Sequence, residues 1–196
     1  MADVKLEPVA LEKSYRLLNV GGTTLVSAYS KGREDLMPAT WACALDLSPA
    51  LATVVLSAHY TRDLIEESGM FALQLPTLQI ADETMFLGSV SKHDLPDKVE
   101  KSGIRLFKMP GFDIPLAEGC AAWMIYKMRD EPEVRNKYDL FIGECVAAWS
   151  DPRVFSDGHW HFEKADPSLS TIHYVAGSHF YTIGQPHVSK VELPFD

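Results

Sequence analysis

Apolar and polar positions along the chain change period several times, and each change marks an element. Residues 51–56, Leu-Ala-Thr-Val-Val-Leu, are a short apolar run with β-branched residues at its centre, and read as a strand buried on both faces that ends at Ser57. The period then lengthens. Leu64, Ile65 and Ser68 recur at helical spacing, Glu66 and Glu67 point outward, and Gly69 supplies a C-terminal stop. Upstream, a strand is expected within 17–29, where Leu25 to Tyr29 alternate before the polar turn Ser30-Lys31-Gly32-Arg33. Further strands are expected over 37–45 and over 70–75, the latter stopped by Pro76. Ile80, Ala81, Met85, Phe86 and Leu87, with Asp82 and Glu83 opposite, place a second helix over 77–90. Residues 91–102 are charged and carry Pro96, so a loop with a short helix should precede Gly103 and a strand over 104–107.

The β-type segments 120–128 and 139–149 flank a charged stretch at 129–137, which predicts a hairpin with a long polar loop. The tail repeats this on a smaller scale, with aromatic-rich strands at 172–175 and 179–183 around Ala176-Gly177-Ser178. Many short strands with only two or three helices imply a mainly β, antiparallel, Greek-key-like sheet closed into a barrel or split barrel. A doubly wound fold would alternate strand and helix throughout. No internal repeat, low-complexity tract or composition shift divides the 196 residues, so a single domain over 1–196 is expected.

Composition narrows the classes. Hydrophobic residues make up 46% and charged residues 23%, with no apolar run of about 18 residues, which predicts a globular chain with no membrane partner. The N-terminus lacks a basic segment followed by an apolar one, so a cytoplasmic location is expected. A net charge of -9 opposes a phosphate-backbone surface and argues against nucleic acid as a partner, while leaving room for a local basic pocket. Cys43, Cys120 and Cys145 are odd in number and widely spaced, and read as buried reduced thiols. His159-Trp160-His161, with Asp157 or Glu163, is a partial metal pattern without further ligands; exposed loop histidines account for it better, and no metal is expected. Neither G-x-S-x-G nor G-x-G-x-x-G occurs, so hydrolysis and a fixed dinucleotide site lack support.

The candidate chemistry lies where the strand ending at Ser57 opens the helix, through Ser57, Ala58, His59, Tyr60, Thr61 and Arg62. Unpaired backbone N–H groups and the positive end of the helix dipole meet there. Ser57, Thr61 and Arg62 can add hydroxyl and guanidinium donors, a combination suited to a dianionic phosphate. The alternative is an ordinary Thr-capped helix with Arg62 in solvent.

Four segments in order resemble the flavin reductase-like family of FMN-binding split barrels, which includes flavoredoxins. They are Leu36-Met37-Pro38-Ala39-Thr40-Trp41; the 57–65 junction with Gly69-Met70-Phe71-Ala72-Leu73-Gln74-Leu75-Pro76; Gly88-Ser89-Val90-Ser91 with Asp97-Lys98 and Gly103; and Phe141-Ile142-Gly143-Glu144-Cys145-Val146. The likeness spans about residues 15 to 185, and Tyr174 to Gln185 is similar to the flavoredoxin tail. The resemblance implies an FMN cofactor, with Ala39, Thr40, Trp41 and Ala42 beside the isoalloxazine ring through backbone groups, although Trp41 is equally explained as core packing. It puts the phosphate at the 57–62 junction, with Ser91 and Lys92 or His93 as a second contact. It also implies a homodimer, NAD(P)H as a transient hydride donor and a separate electron acceptor that the residues do not identify. Catalysis is then cofactor chemistry in which no side chain need act as acid or base. Two departures stand out. Tyr138 occupies the place where many members carry a His facing the nicotinamide, which favours a flavoredoxin-type electron carrier, and Pro38 removes a backbone donor from the first segment. Tyr174, Phe180 and Tyr181 either cover the flavin or pack in the core.

Overall fold

A computed structural model describes residues 21–187 and 189. Seven antiparallel strands make the main sheet: β1 (Thr24–Ser30), β2 (Arg33–Ala39), β3 (Ala42–Leu47), β4 (Ala50–Val55), β5 (Met70–Pro76), β8 (Cys120–Met128) and β9 (Leu140–Ser150). Between β5 and β8 lie the short strands β6 (Leu106–Phe107) and β7 (Leu116–Ala117), which pair with each other. The spatial order is β2-β1-β5-β8-β9-β4-β3. Its two edge strands, β2 and β3, are consecutive in the chain and joined through Thr40 and Trp41, so the sheet curls back on itself. Val55 N–H donates to the Trp41 carbonyl at 3.0 Å, extending the β3–β4 ladder to this junction. The expected split barrel is the observed architecture.

One apolar cluster fills the interior. Val26 and Ala28 from β1, Ala52 and Val54 from β4, Phe71 and Leu73 from β5, Tyr126 from β8 and Phe141 from β9 all enter it. Residues from nearly every strand meet in one cluster only because period-two alternation turns one side of each strand inward. Phe71 and Tyr126 stack at 5.3 Å between centroids. Helix α1 (Tyr60–Ser68) adds Leu64 and Ile65 and plugs one end. Its C-cap is Gly69, at φ 69°, whose N–H donates to the Ile65 carbonyl at 2.8 Å.

Helix α2 (Ala81–Ser89) lies outside the barrel, with Ile80 just before it and Leu87 within it packing on Leu25 and Leu36, so β1 is buried on both faces. The short helix α3 (Lys98–Lys101) follows. The β8 and β9 hairpin forms as expected, but its connection folds into helix α4 (Pro132–Tyr138), which the sequence reading took for loop. None of its residues is buried, so it leaves no apolar stripe, and Pro132 at the first turn was the only signal.

Other expectations change in detail. The strand expected over 37–45 is two strands broken at Thr40 and Trp41, and the helix over 77–90 begins as a 3-10 turn at Leu78–Ile80. Strand β4 buries Ala52 and Val54 while Leu51, Thr53 and Val55 are half-buried, so it is not closed on both faces. Cys120 is buried, Cys145 half-buried and Cys43 exposed, because β3 is an edge strand. A small hairpin of β10 (Phe155–Ser156) and β11 (His159–Trp160) carries His159, but His161 leaves the strand, is half-buried and bonds Ser156 at 3.0 Å. The tail hairpin is β12 (Ile172–Ala176) with β13 (His179–Thr182). The start of the strand expected over 17–29 falls partly outside the described residues.

Gly143, in the Phe-Ile-Gly strand, has a physical reason to lack a side chain. A Cβ there would meet Phe71 Cζ at 2.6 Å and Tyr126 Cβ at 2.7 Å. Gly143→Ala should cost about 1–3 kcal/mol through overpacking, read as a lower urea midpoint; an unchanged midpoint would show that the interior relaxes around the methyl group.

Candidate functional site

Strand β2, the N-terminus of α1 and the C-terminal half of α2 enclose a groove. Two adjoining clefts of about 210 and 290 Å³ share Pro38 and Gly88 in their walls. Together they reach the roughly 300–1,000 Å³ of cofactor sites. Gly88 lets α2 approach β2 closely, since a Cβ there would lie 2.7 Å from Pro38 Cγ. The first cleft is lined by small and apolar groups, Ala39, Thr40, Met85, Tyr174 and Phe180 among them. Thr84 is in its wall with its hydroxyl buried and without a hydrogen-bond partner among the described residues. The second cleft is polar, with Asp35, His59, Tyr60, Ser91 and Lys98.

The polar end is built around a buried ion pair. Lys98 Nζ lies 3.3 Å from Asp35 Oδ1, with side-chain exposures of 3% and 1%. Thr61 Oγ1 donates to Asp35 Oδ2 at 2.7 Å. Burial pushes the Lys98 ammonium below its usual range, the Asp35 charge opposes that fall and the like charge of Lys92 adds to it. Lys92 Nζ donates to the Glu34 carbonyl at 2.6 Å and stands 5.7 Å from the Tyr60 ring centroid. His93 packs edge-on to Tyr60 and lies 3.3 Å from Asp63.

The structure sorts the sequence-derived residues. Ala39 and Thr40 line the apolar end, while His59, Tyr60 and Ser91 line the polar end. Trp41, 52% exposed, is not in the core, which removes its packing alternative, and Ala42 opens β3 against the barrel interior. Ser57 and Ala58 are exposed, and Ser57 Oγ is 3.2 Å from His59 Nε2. His59, not Thr61, is the N-cap of α1.

Two expectations need correction. The Thr61 side chain is fully buried and committed to Asp35 rather than to the groove. Arg62 turns away from the groove: Nε reaches Glu66 at 3.1 Å, Nη1 the Leu56 carbonyl at 3.1 Å and the Asp139 carboxylate, with the guanidinium 5.4 Å from the Phe141 ring centroid. Burial opposes this charge, but the hydrogen bonds that it donates to Asp139 and Glu66 outweigh it and hold the guanidinium above its ordinary pKa. Nothing local in the sequence marks Asp35 or Thr84 as site residues, and Lys98 stands out only as part of a segment that resembles the family. No group of three His, Cys, Asp or Glu is placed to hold a metal ion among the described residues. Nor is any described helix long and apolar enough to cross a membrane.

Residues 18–169 match the flavin reductase like domain, and the chain belongs to that family. A crystal structure of an FMN-binding domain of a flavin reductases-like enzyme from Shewanella baltica OS155 is 44% identical, with a TM-score of 0.85, over 97% of this chain and 100% of that one. The uncharacterized protein YddH of Escherichia coli (strain K12) is 35% identical over 91% of this chain and 95% of its own length. Flavoredoxin of Desulfovibrio vulgaris (Miyazaki F) shares the fold, at a TM-score of 0.73 and 22% identity over 87% of this chain and 90% of that one.

The role of Thr61 is testable without any ligand. Thr61→Val removes a hydrogen bond to a buried carboxylate and should lower stability by about 1.5–3 kcal/mol in chemical denaturation. A hydroxyl serving a phosphate alone would leave the stability of the empty protein unchanged.

Proposed function

We propose that this protein is an FMN-dependent oxidoreductase that accepts hydride from NAD(P)H and passes electrons to a separate acceptor. The observation that carries the reading is the groove itself: small and apolar at one end, polar and hydroxyl-bearing at the other, with Pro38 and Gly88 in the walls of both. That polarity matches a flat ring joined through a polyol to a phosphate. The 44% identity to a protein described as an FMN-binding domain adds support. FMN, when bound, supplies the two-electron chemistry.

The chain's own residues supply binding and orientation. Ala39 and Thr40, with Trp41 and Ala42 continuing the same segment, allow backbone approach to a planar ring, and N–H dipoles there can hold developing negative charge. The buried Thr84 hydroxyl is a polar group in that wall still lacking a partner among the described residues. At the other end Ser91, His59, Tyr60 and the first-turn N–H groups of α1 face the phosphate position. Lys98 neutralises Asp35, so the anion does not meet an uncompensated carboxylate, and Lys92, beside the polar cleft but outside its lining, replaces Arg62 as the source of positive charge. NAD(P)H would act as a transient substrate over the ring.

A second reading, an electron carrier of flavoredoxin type, is favoured by one residue. Tyr138, where many family members have the His, is 58% exposed and outside the lining of both clefts. A homodimer is part of the proposal: edge strand β3 exposes Leu45 at 51% and Leu47 at 92%, an apolar edge that a second copy would cover. Sedimentation should give twice the chain mass, and a monomer at all concentrations would remove this element.

The deciding experiment is anaerobic titration of the FMN-loaded protein with NADH and then NADPH, following the visible flavin band. Rapid bleaching by either nucleotide is the expected result. A band that bleaches with dithionite but with neither nucleotide would exclude the reductase reading and leave the carrier.

A further inference from the structure

Among the described residues the tail hairpin of β12 and β13 pairs with no strand of the barrel, yet its root is firmly held. Ile172 is fully buried, its carbonyl accepts from Thr23 N–H at 2.9 Å, and Tyr174 N–H donates to Thr23 Oγ1 at 3.0 Å. Ile183 N–H donates to the Thr171 carbonyl at 3.1 Å, closing the second leg. Gly177 and Ser178 both adopt left-handed φ, 57° and 65°, as a tight two-residue hairpin turn requires. The hairpin therefore leaves a fixed base with a defined register.

Register decides which side chains face the groove. Tyr174 stands opposite Phe180 and His173 opposite Tyr181, so the two pairs lie on opposite faces. The Tyr174 and Phe180 rings are 5.4 Å apart, tilted at 59°, and both line the apolar cleft with Ala39, Thr40 and Met85. Tyr181, on the other face, is 66% exposed. Both groove-facing rings are only half-buried, so a large aromatic surface remains directed at a cleft that small residues keep open.

We infer that Tyr174 and Phe180 form an aromatic wall against the flavin ring and shield that ring from solvent. The inference rests on the FMN reading of the groove. An aromatic wall suits a planar heteroaromatic through offset or edge-to-face contact, and because it belongs to a hairpin outside the barrel, it acts on ring access without bearing on the barrel interior. Tyr174 and Phe180 are thus ring-binding residues, separate from those at the phosphate end.

The test uses the FMN-loaded full chain with Phe180→Ala, Tyr174→Ala and the conservative Phe180→Tyr, reading bound-flavin fluorescence, its quenching by iodide, and FMN affinity by ultrafiltration. Loss of either ring should increase quenching by iodide and weaken FMN binding by only about two- to tenfold, loss of the electron-donating Tyr174 should also brighten the bound flavin, and Phe180→Tyr should keep the wild-type iodide access and affinity. Bound flavin with unchanged brightness and iodide access in both alanine variants would overturn the wall while leaving the FMN reading intact. A wild-type protein that retains no FMN would overturn both.

Discussion

A carboxylate buried beside the barrel is the constraint on which the site depends. Asp35 is nearly sealed from solvent, and a charge in that position is costly unless it is both paired and hydrogen-bonded. The compensation comes from two other elements: Thr61 from the first turn of α1 and Lys98 from the short helix α3. One side chain of β2 thus fixes where two helices meet the sheet, and those three elements build the polar end of the groove. The Asp35–Lys98 pair also leaves that end with no uncompensated negative charge, and Lys92 stands nearby to add a positive one.

Closure of the barrel does the corresponding work at the other end. Because β2 and β3 are the two edges of one sheet and also consecutive in the chain, the residues joining them, Thr40 and Trp41, must turn at the rim. Ala39 and Thr40 reach the groove for this reason, and Trp41 and Cys43 are exposed for the same reason. Gly88 keeps α2 close against Pro38, and the tail hairpin supplies two aromatic rings from outside the barrel. The wall of the cleft is assembled here by separate parts of the chain, while the interior under it is packed tightly enough that Gly143 has no room for a methyl group.

What could be read from the amino-acid order was local. The apolar period of 64 and 65 with Gly69 behind it defined α1, and the alternation in 120–128 and 139–149 defined the β8 and β9 hairpin, because both signals lie within a few residues of one another. Thr61 and Arg62 were assigned to a ligand because their real partners are remote in sequence: Asp35 is 26 positions away from the one and Asp139 77 from the other. Helix α4 escaped notice since it buries nothing, and Cys43 was expected inside because an edge strand has the same composition as a central one. The order of four weak segments, more than any one residue, carried the family resemblance that the fold bears out.

The central claim is that one groove holds a ring at its Ala39 end and a phosphate at its Ser91 end. Parallel equilibrium titrations of the FMN-free protein with FMN and with riboflavin, which lacks only the phosphate, address it most directly. Charge-assisted hydrogen bonds of about 1.5–3 kcal/mol each predict that FMN binds at least about tenfold more tightly, and that added salt narrows the gap. Equal affinities for the two flavins would contradict the account.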